Sequence, residues 1–176
     1  MRMEIGSCVV RSWQRGDRDS LVRHANNRKV WRNLMDVFPH PYTNAAADAW
    51  FDRVGRQAPP VDFAIEVQGQ AVGGIGYNPG SDMFARTAEF GYWLGEPWWG
   101  RGIATDAARS VAQYAFDRFP LQRLEAAVFE WNPASMRVLE KAGFAREGVL
   151  RRSIVKDGQV IDRVLYARLR HHDPGT

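Results

Sequence analysis

The stretch Trp98-Trp99-Gly100-Arg101-Gly102-Ile103-Ala104-Thr105 holds the residue types and spacing that point most directly to chemistry. Glycines at 100 and 102 let the backbone turn tightly and leave successive N–H groups facing outward. A strand-like run, residues 89–94, leads into the turn. An amphipathic helix begins directly after it, so the positive end of the helix dipole faces the same spot. Such a turn is a main-chain cradle for a phosphate or diphosphate. A Walker loop requires G-x-x-x-x-G-K-[ST], and no such string occurs. A dinucleotide fingerprint requires a third small residue, G-x-G-x-x-G or G-x-G-x-x-A, where this chain has Thr105. The strands before the turn also read as hairpin-linked, which argues against a dinucleotide fold.

The elements that must position this turn are legible from periodicity. Ala104, Ala107, Ala108, Val111, Ala112, Ala115, Phe116 and Phe119 follow i, i+3, i+4 spacing, the pattern of a helix with one apolar face. The many alanines predict close packing on a sheet. Residues 87–94 read as a buried strand, in which Glu89, Gly91 and Trp93 share one face and Phe90, Tyr92 and Leu94 the other. Residues 121–129 read as a strand. Asn132-Pro133 then opens a helix, with Asn as cap and Pro in its first turn, and Gly143 ends it. Upstream, 7–13 reads as a first strand, 17–26 and 43–57 as helices, and 62–67 with 71–77 as a hairpin through Gln68-Gly69-Gln70. Residues 144–155 and 160–169 form a second hairpin through Lys156-Asp157-Gly158-Gln159. This order predicts a single α/β (α+β) domain over residues 1–170, with a mixed, mostly antiparallel sheet of about seven strands and helices on both faces. A flexible tail, 171–176, follows.

Composition bounds the function. The chain has 176 residues, 45% hydrophobic and 25% charged, ordinary values for a globular chain with one core. No apolar run approaches the roughly 20 residues of a membrane span, and the first residues lack the apolar stretch of a signal peptide, so a cytoplasmic location without membrane binding is expected. The single cysteine, Cys8, and four scattered histidines predict neither an intramolecular disulfide nor a metal site. The net charge of +4 comes almost wholly from arginine, with lysines only at 29, 141 and 156. It suits an anionic cofactor or a ribonucleoprotein partner, or reflects arginine-rich coding alone. No basic block stands out, so direct nucleic-acid binding is not expected.

Four motifs in order then carry a resemblance. Glu89-Phe90-Gly91-Tyr92-Trp93-Leu94 comes first. The turn follows, in which Gly102 and Ala104 match the last two positions of [Q/R]-x-x-G-x-[G/A]. Next come Asn132-Pro133-Ala134-Ser135 with Leu139-Glu140-Lys141-Ala142-Gly143-Phe144, and last Leu165-Tyr166-Ala167-Arg168-Leu169. Over nearly its whole length the chain resembles the GNAT-superfamily N-acetyltransferases. Within them it resembles the RimJ/RimL-type, ribosomal-protein N-terminal branch, which Trp99 in the first signature position fits. The resemblance implies acetyl-CoA as cofactor. Its diphosphate would rest on the main chain of Trp99, Gly100, Arg101, Gly102, Ile103, Ala104 and Thr105, with added charge from Arg101 or Arg137. It also implies that the strand before the turn splays from its neighbour to admit the pantetheine arm. A strand N–H near Trp93 or Leu94 would face the thioester oxygen, and Asn132 would touch the arm as well as cap its helix.

Acetyl transfer to an amine further needs a neutral nucleophile and a proton for the departing thiolate. An α-amino group has a pKa near 7.7–8.0 against about 10.4 for lysine, so an N-terminal acceptor needs only a weak base. Glu89 is the candidate, with a structural glutamate or a water relay as the alternatives. Ser135 is the candidate acid. Many related enzymes carry a tyrosine seven residues after the asparagine, where this chain has Leu139, so Tyr166 or solvent also stays open. Trp31, Phe38 and Tyr42, from an aromatic segment too rich to be a plain linker, line an acceptor pocket with Tyr166, or equally form a satellite core. Residues 78–84 and 153–159 are candidate rims. The implied acceptor is a protein or peptide N-terminus, ribosomal or other. A small-molecule amine, or a non-catalytic acyl-CoA-binding module, are the alternatives. A homodimer through the C-terminal strands is compatible with the reading.

Overall fold

In a computed structural model that describes residues 1–170, alternation along the chain yields eight strands: β1 (Arg2–Ile5), β2 (Cys8–Ser12), β3 (Asp62–Val67), β4 (Gln70–Pro79), β5 (Thr87–Leu94), β6 (Arg123–Phe129), β7 (Ala145–Lys156) and β8 (Gln159–Leu169). Five helices accompany them: α1 (Arg18–Ala25), α2 (Arg28–Trp31), α3 (Asn44–Val54), α4 (Ile103–Arg118) and α5 (Pro133–Lys141). The predicted tail lies outside the described residues. One sheet runs in the order β1-β2-β3-β4-β5-β6-β8-β7. Every neighbouring pair is antiparallel except β5 and β6. This is the single mixed α/β domain expected, with one strand more.

The extra strand is β1. The sequence reading began the sheet at residue 7, but Arg-Met-Glu-Ile already alternates: Met3 and Ile5 pack on the main core while Arg2 and Glu4 stay exposed. Gly6-Ser7 then turns the chain back into β2. The two predicted hairpins hold. Gln68 and Gly69, and Asp157 and Gly158, all take positive φ, as tight turns that match the twist of the strands require.

The two faces of the sheet carry separate apolar clusters. The alanine stripe of α4 is fully buried against the face that includes Ala88, Phe90 and Leu94, and Leu139 of α5 joins it. The opposite face holds a smaller cluster built from Leu21 and Ala25 of α1, Ala47 and Phe51 of α3, and Tyr42, with Trp13, Phe38 and Trp93 packed against it. Trp93 and its neighbours Tyr92 and Leu94 thus project to opposite faces, as alternation predicted.

One irregularity positions the site. β5 pairs with β6 only at Thr87–Arg123, Ala88–Leu124 and Glu89–Glu125. Beyond Glu89, β5 stays on β4 as far as Leu94, while β6 follows β8 as far as Phe129. The sheet therefore opens into a wedge at its centre. Gly95 N–H donates to the Val72 carbonyl of β4, and the Thr87 carbonyl accepts from Gly80. Main-chain groups alternate along a strand, so those of odd-numbered β5 residues face β4, and the N–H groups of Tyr92 and Leu94 point into the wedge.

Candidate active site

A cleft of about 340 Å³ occupies the wedge. It gathers every residue the sequence assigned to the cofactor: Trp93 and Leu94 from β5, the turn from Trp99 through Gly100, Arg101, Gly102, Ile103 and Ala104 to Thr105, and Asn132, Ser135 and Arg137 at the start of α5. Gly100 and Gly102 both take positive φ (74° and 79°), and no other part of the protein approaches the place where a Cβ would stand. The turn is therefore left-handed at two points and open on its outer side. Gly102 caps α4 without any side-chain hydrogen bond. Among the described residues, no protein acceptor meets the N–H groups of residues 100–105. These are orphan donors at a helix N-terminus, directed at the cleft.

Trp99 has a visible local role. Its indole N–H donates to the Leu94 carbonyl at 2.6 Å, tying the turn back to the end of β5 where the wedge is widest. The Arg101 guanidinium lies 4.9 Å from the Trp98 ring centre. Arg101, Arg137 and Lys141 all line the cleft, and no carboxylate or imidazole does among the described residues. The charged side chains that line the cleft are therefore all cations.

At the other wall, Asn132 accepts from Ser135 N–H at 3.2 Å, the predicted helix cap. The Ser135 hydroxyl lies 2.7 Å from the Tyr92 hydroxyl, which also donates to the Ser135 carbonyl at 3.1 Å. Burial pushes the Tyr92 phenol well above its ordinary pKa, with the Ser135 hydrogen bond opposing it. Sequence reasoning missed Tyr92 as a site residue, although its alternation opposite Trp93 was the available signal. It also missed Lys141 and Val30; Val30 closes the far end of the cleft together with Asn33 and Leu34, which come from the aromatic segment read as a pocket wall.

Those last residues belong to α2 and its exit, within a segment the sequence left irregular. Five contacts hold α2 and its flanking residues across the wedge. Asn27 and Lys29 bind Glu96, just before the glycine turn, and these bonds hold the Glu96 carboxyl below its usual pKa. Arg32 stacks on Trp131, 4.3 Å from the ring centre. Arg28 pairs with Asp157 at 2.7 Å. Trp31 receives the Lys156 ammonium 3.7 Å from its ring centre, and Lys156 also pairs with Asp36 at 2.5 Å.

Several expectations need correction. Glu89 does not reach the cleft: it is exposed and sits where β5 still pairs with β6, four residues before Trp93 and so about 13 Å along the strand. Tyr166 is buried in the main core, with its hydroxyl on Glu140 at 2.9 Å, and is neither pocket wall nor acid. Tyr42 is a core residue whose phenol is pushed up to about 12 by burial. Phe38 stacks between Tyr42 and Trp93, with ring centres 4.9 and 5.5 Å away. Trp31 packs on His40 and Lys156. None of these aromatics lines the cleft, and Tyr42 and Phe38 belong to the satellite core. Residues 78–84 begin in the last two residues of β4, opposite Glu89 and Ala88, and do not line the cleft. The 153–159 tip does not line the cleft either, but it touches α2 through Lys156 on Trp31 and Asp157 on Arg28.

Residues 8–145 match the family model described as an acetyltransferase (GNAT) domain. An N-acetyltransferase named p20 from Bacillus licheniformis is 31% identical over 171 residues, covering 95% of each chain. The ribosomal-protein-serine acetyltransferase of Escherichia coli is 31% identical over 107 residues, 61% of this chain and 59% of that protein. The chain spans about half the length of several Bacillus subtilis relatives that it matches. Among solved structures, Mycobacterium smegmatis RimJ in complex with CoA-disulfide superposes with a TM-score of 0.82 at 26% identity, over 100% of this chain and 89% of that one. No helix among the described residues is long and apolar enough to cross a membrane. Family model, full-length relative and fold agree, and the chain belongs to the GNAT acetyltransferase family, whose members use acetyl-CoA.

Proposed function

We propose that this acetyltransferase moves the acetyl group of acetyl-CoA directly to the α-amino group of a protein or peptide N-terminus. The observation that carries this reading is the composition of the cleft. It has orphan N–H groups and three cations at one end, a fit for the diphosphate and phosphate of coenzyme A. At its reacting end it has no carboxylate or imidazole among the described residues. An amine with a pKa near 7.7–8.0 is substantially neutral at working pH and loses its proton to water without a strong base, whereas a lysine at about 10.4 is not. A water relay therefore takes the place first given to Glu89. The relatedness to a ribosomal-protein-serine acetyltransferase and the likeness to RimJ support a polypeptide acceptor.

In this reading the pantetheine arm lies in the wedge beside β5, and the Leu94 N–H meets the thioester oxygen as it becomes anionic. The acceptor enters between α2 and Trp93. The neutral amine would attack the thioester carbon, its extra proton would leave through the water relay, and as the carbon–sulfur bond breaks Ser135 would donate a hydrogen bond to the departing thiolate. The test is a panel of acceptors with acetyl-CoA: ribosomal-protein N-terminal peptides, the same peptides N-terminally blocked, free amino acids and polyamines. Turnover of the unblocked peptides alone is expected. Turnover of free amino acids or polyamines, with none of peptides, overturns the reading.

A further inference from the structure

We infer that Tyr92 is a positioning residue for Ser135, turning the serine O–H towards the sulfur of coenzyme A. This rests on the proposed reading in which the cleft holds coenzyme A with its sulfur beside α5. The two side chains come from opposite walls of the wedge, Tyr92 from β5 and Ser135 from the first turn of α5, and both line the cleft. The Ser135 main chain is fixed by the Asn132 cap. Leu139, one turn further along α5, is buried and has no polar atom, so a second hydroxyl at this wall has to come from another element.

The phenol oxygen stands 2.7 Å from Ser135 Oγ and 3.1 Å from the Ser135 carbonyl oxygen. It has one proton to give and two acceptors for it, which allows two arrangements. In the first, the phenol donates to the carbonyl and the serine hydroxyl donates to the phenol oxygen, so the serine proton is consumed internally. In the second, the phenol donates to Oγ and the serine proton is free to point into the cleft. An anionic sulfur selects the second, because a hydrogen bond to a charged acceptor is about twice as strong as a neutral one. Only hydroxyl protons rotate. No heavy atom moves and no proton changes owner. Burial keeps the Tyr92 phenol protonated, so it remains a donor across the working pH range. The charged side chains that line the cleft are Arg101 from the turn and Arg137 and Lys141 from α5, while α2 and its exit present only Val30, Asn33 and Leu34.

The test needs no acceptor, because coenzyme A alone is the probe. The thiol pKa of bound coenzyme A is read from thiolate absorbance during a pH titration, with affinity measured by calorimetry. In the unaltered enzyme it should lie below that of free coenzyme A. Tyr92→Phe and Ser135→Ala should each raise it by about one unit, the order that a charge-assisted hydrogen bond supplies. The double variant should raise it no further. Ser135→Thr, which keeps the hydroxyl, should retain the low value. Tyr92→Phe keeps the ring that packs by Phe90, and unchanged coenzyme A affinity at a pH where the thiol is neutral both free and bound shows that the fold is intact. If Ser135→Ala shifts the thiol and Tyr92→Phe does not, or if the two effects add, the Tyr92 inference fails and the Ser135 reading stands. If Ser135→Ala shifts nothing while coenzyme A binds, both fail. If coenzyme A does not bind the unaltered enzyme, the cofactor reading itself is wrong.

Discussion

Gly102→Ala tests the phosphate cradle at its most exposed point. Gly102 caps α4 at φ 79°, and a Cβ there would meet no protein atom. Any stability loss is therefore conformational, not steric. An L-residue in the left-handed region costs about 1–2 kcal/mol, which for a chain of this size lowers Tm by roughly 2–8 °C. The cofactor effect should be larger. The new methyl points into the space where the diphosphate is expected, and relaxing the strain turns the neighbouring N–H groups away from it. Each N–H on a phosphate is a charge-assisted bond worth about 1.5–3 kcal/mol, so losing one weakens coenzyme A by roughly 10–100-fold. Calorimetric titration of the variant with coenzyme A and with its 3′-dephospho form reads this directly. Both should lose affinity to the same extent, because both retain the diphosphate. An unchanged dissociation constant would refute the cradle, and a loss confined to coenzyme A itself would move the contact to the 3′-phosphate.

Other consequences follow from individual contacts. Glu89→Gln should leave kcat/KM for a peptide acceptor within about twofold, and kcat/KM should rise with pH through roughly 7.7–8.0, the ordinary range of the acceptor's own amine; a loss of 100-fold or more would restore Glu89 as the base. Lys156→Met removes the cation over Trp31 and its pair with Asp36, a cation–π contact worth about 0.5–2 kcal/mol; KM for the acceptor should rise several-fold while KM for acetyl-CoA stays unchanged in steady-state kinetics. Arg11 is buried between Asp17 and Glu66, so Arg11→Ala strands two carboxylates and should cost about 3–5 kcal/mol in urea denaturation. Burial lowers the His24 pKa, with Arg23 adding to it. The unfolded state then binds the proton more readily, so stability is full above the unfolded value near 6.5 and falls as pH drops below it; His24→Gln should flatten that loss between pH 7 and pH 5 in the same melts.

The half of the cleft proposed for the cofactor was legible because it is local. Gly100, Gly102 and the alanine stripe of α4 lie within one continuous segment, and Asn132-Pro133 announces the next helix start by capping chemistry alone. The acceptor half was not legible, because it depends on contacts between distant segments. Trp31, Phe38 and Tyr42 carry the composition of a pocket, but whether aromatics line a cavity or fill one is decided by Trp93 arriving from β5. Glu89 has the right face, yet only the point where β5 leaves β6 shows that it lies short of the cleft. Alternation placed Tyr92 only on the face opposite Trp93, and its bond to Ser135 spans a wedge that no sequence pattern encodes. β1 was missed for a smaller reason: a short strand at the chain start offers only two apolar residues, Met3 and Ile5, to carry its period.

The most direct test of the central claim is a ¹⁵N–¹H correlation titration of the enzyme with coenzyme A. Saturable shifts are expected for the Gly100, Arg101, Gly102, Ile103, Ala104 and Thr105 amides, together with Leu94 and Ser135 across the wedge. Saturable binding that leaves the 100–105 amides in place and moves another surface would contradict that claim.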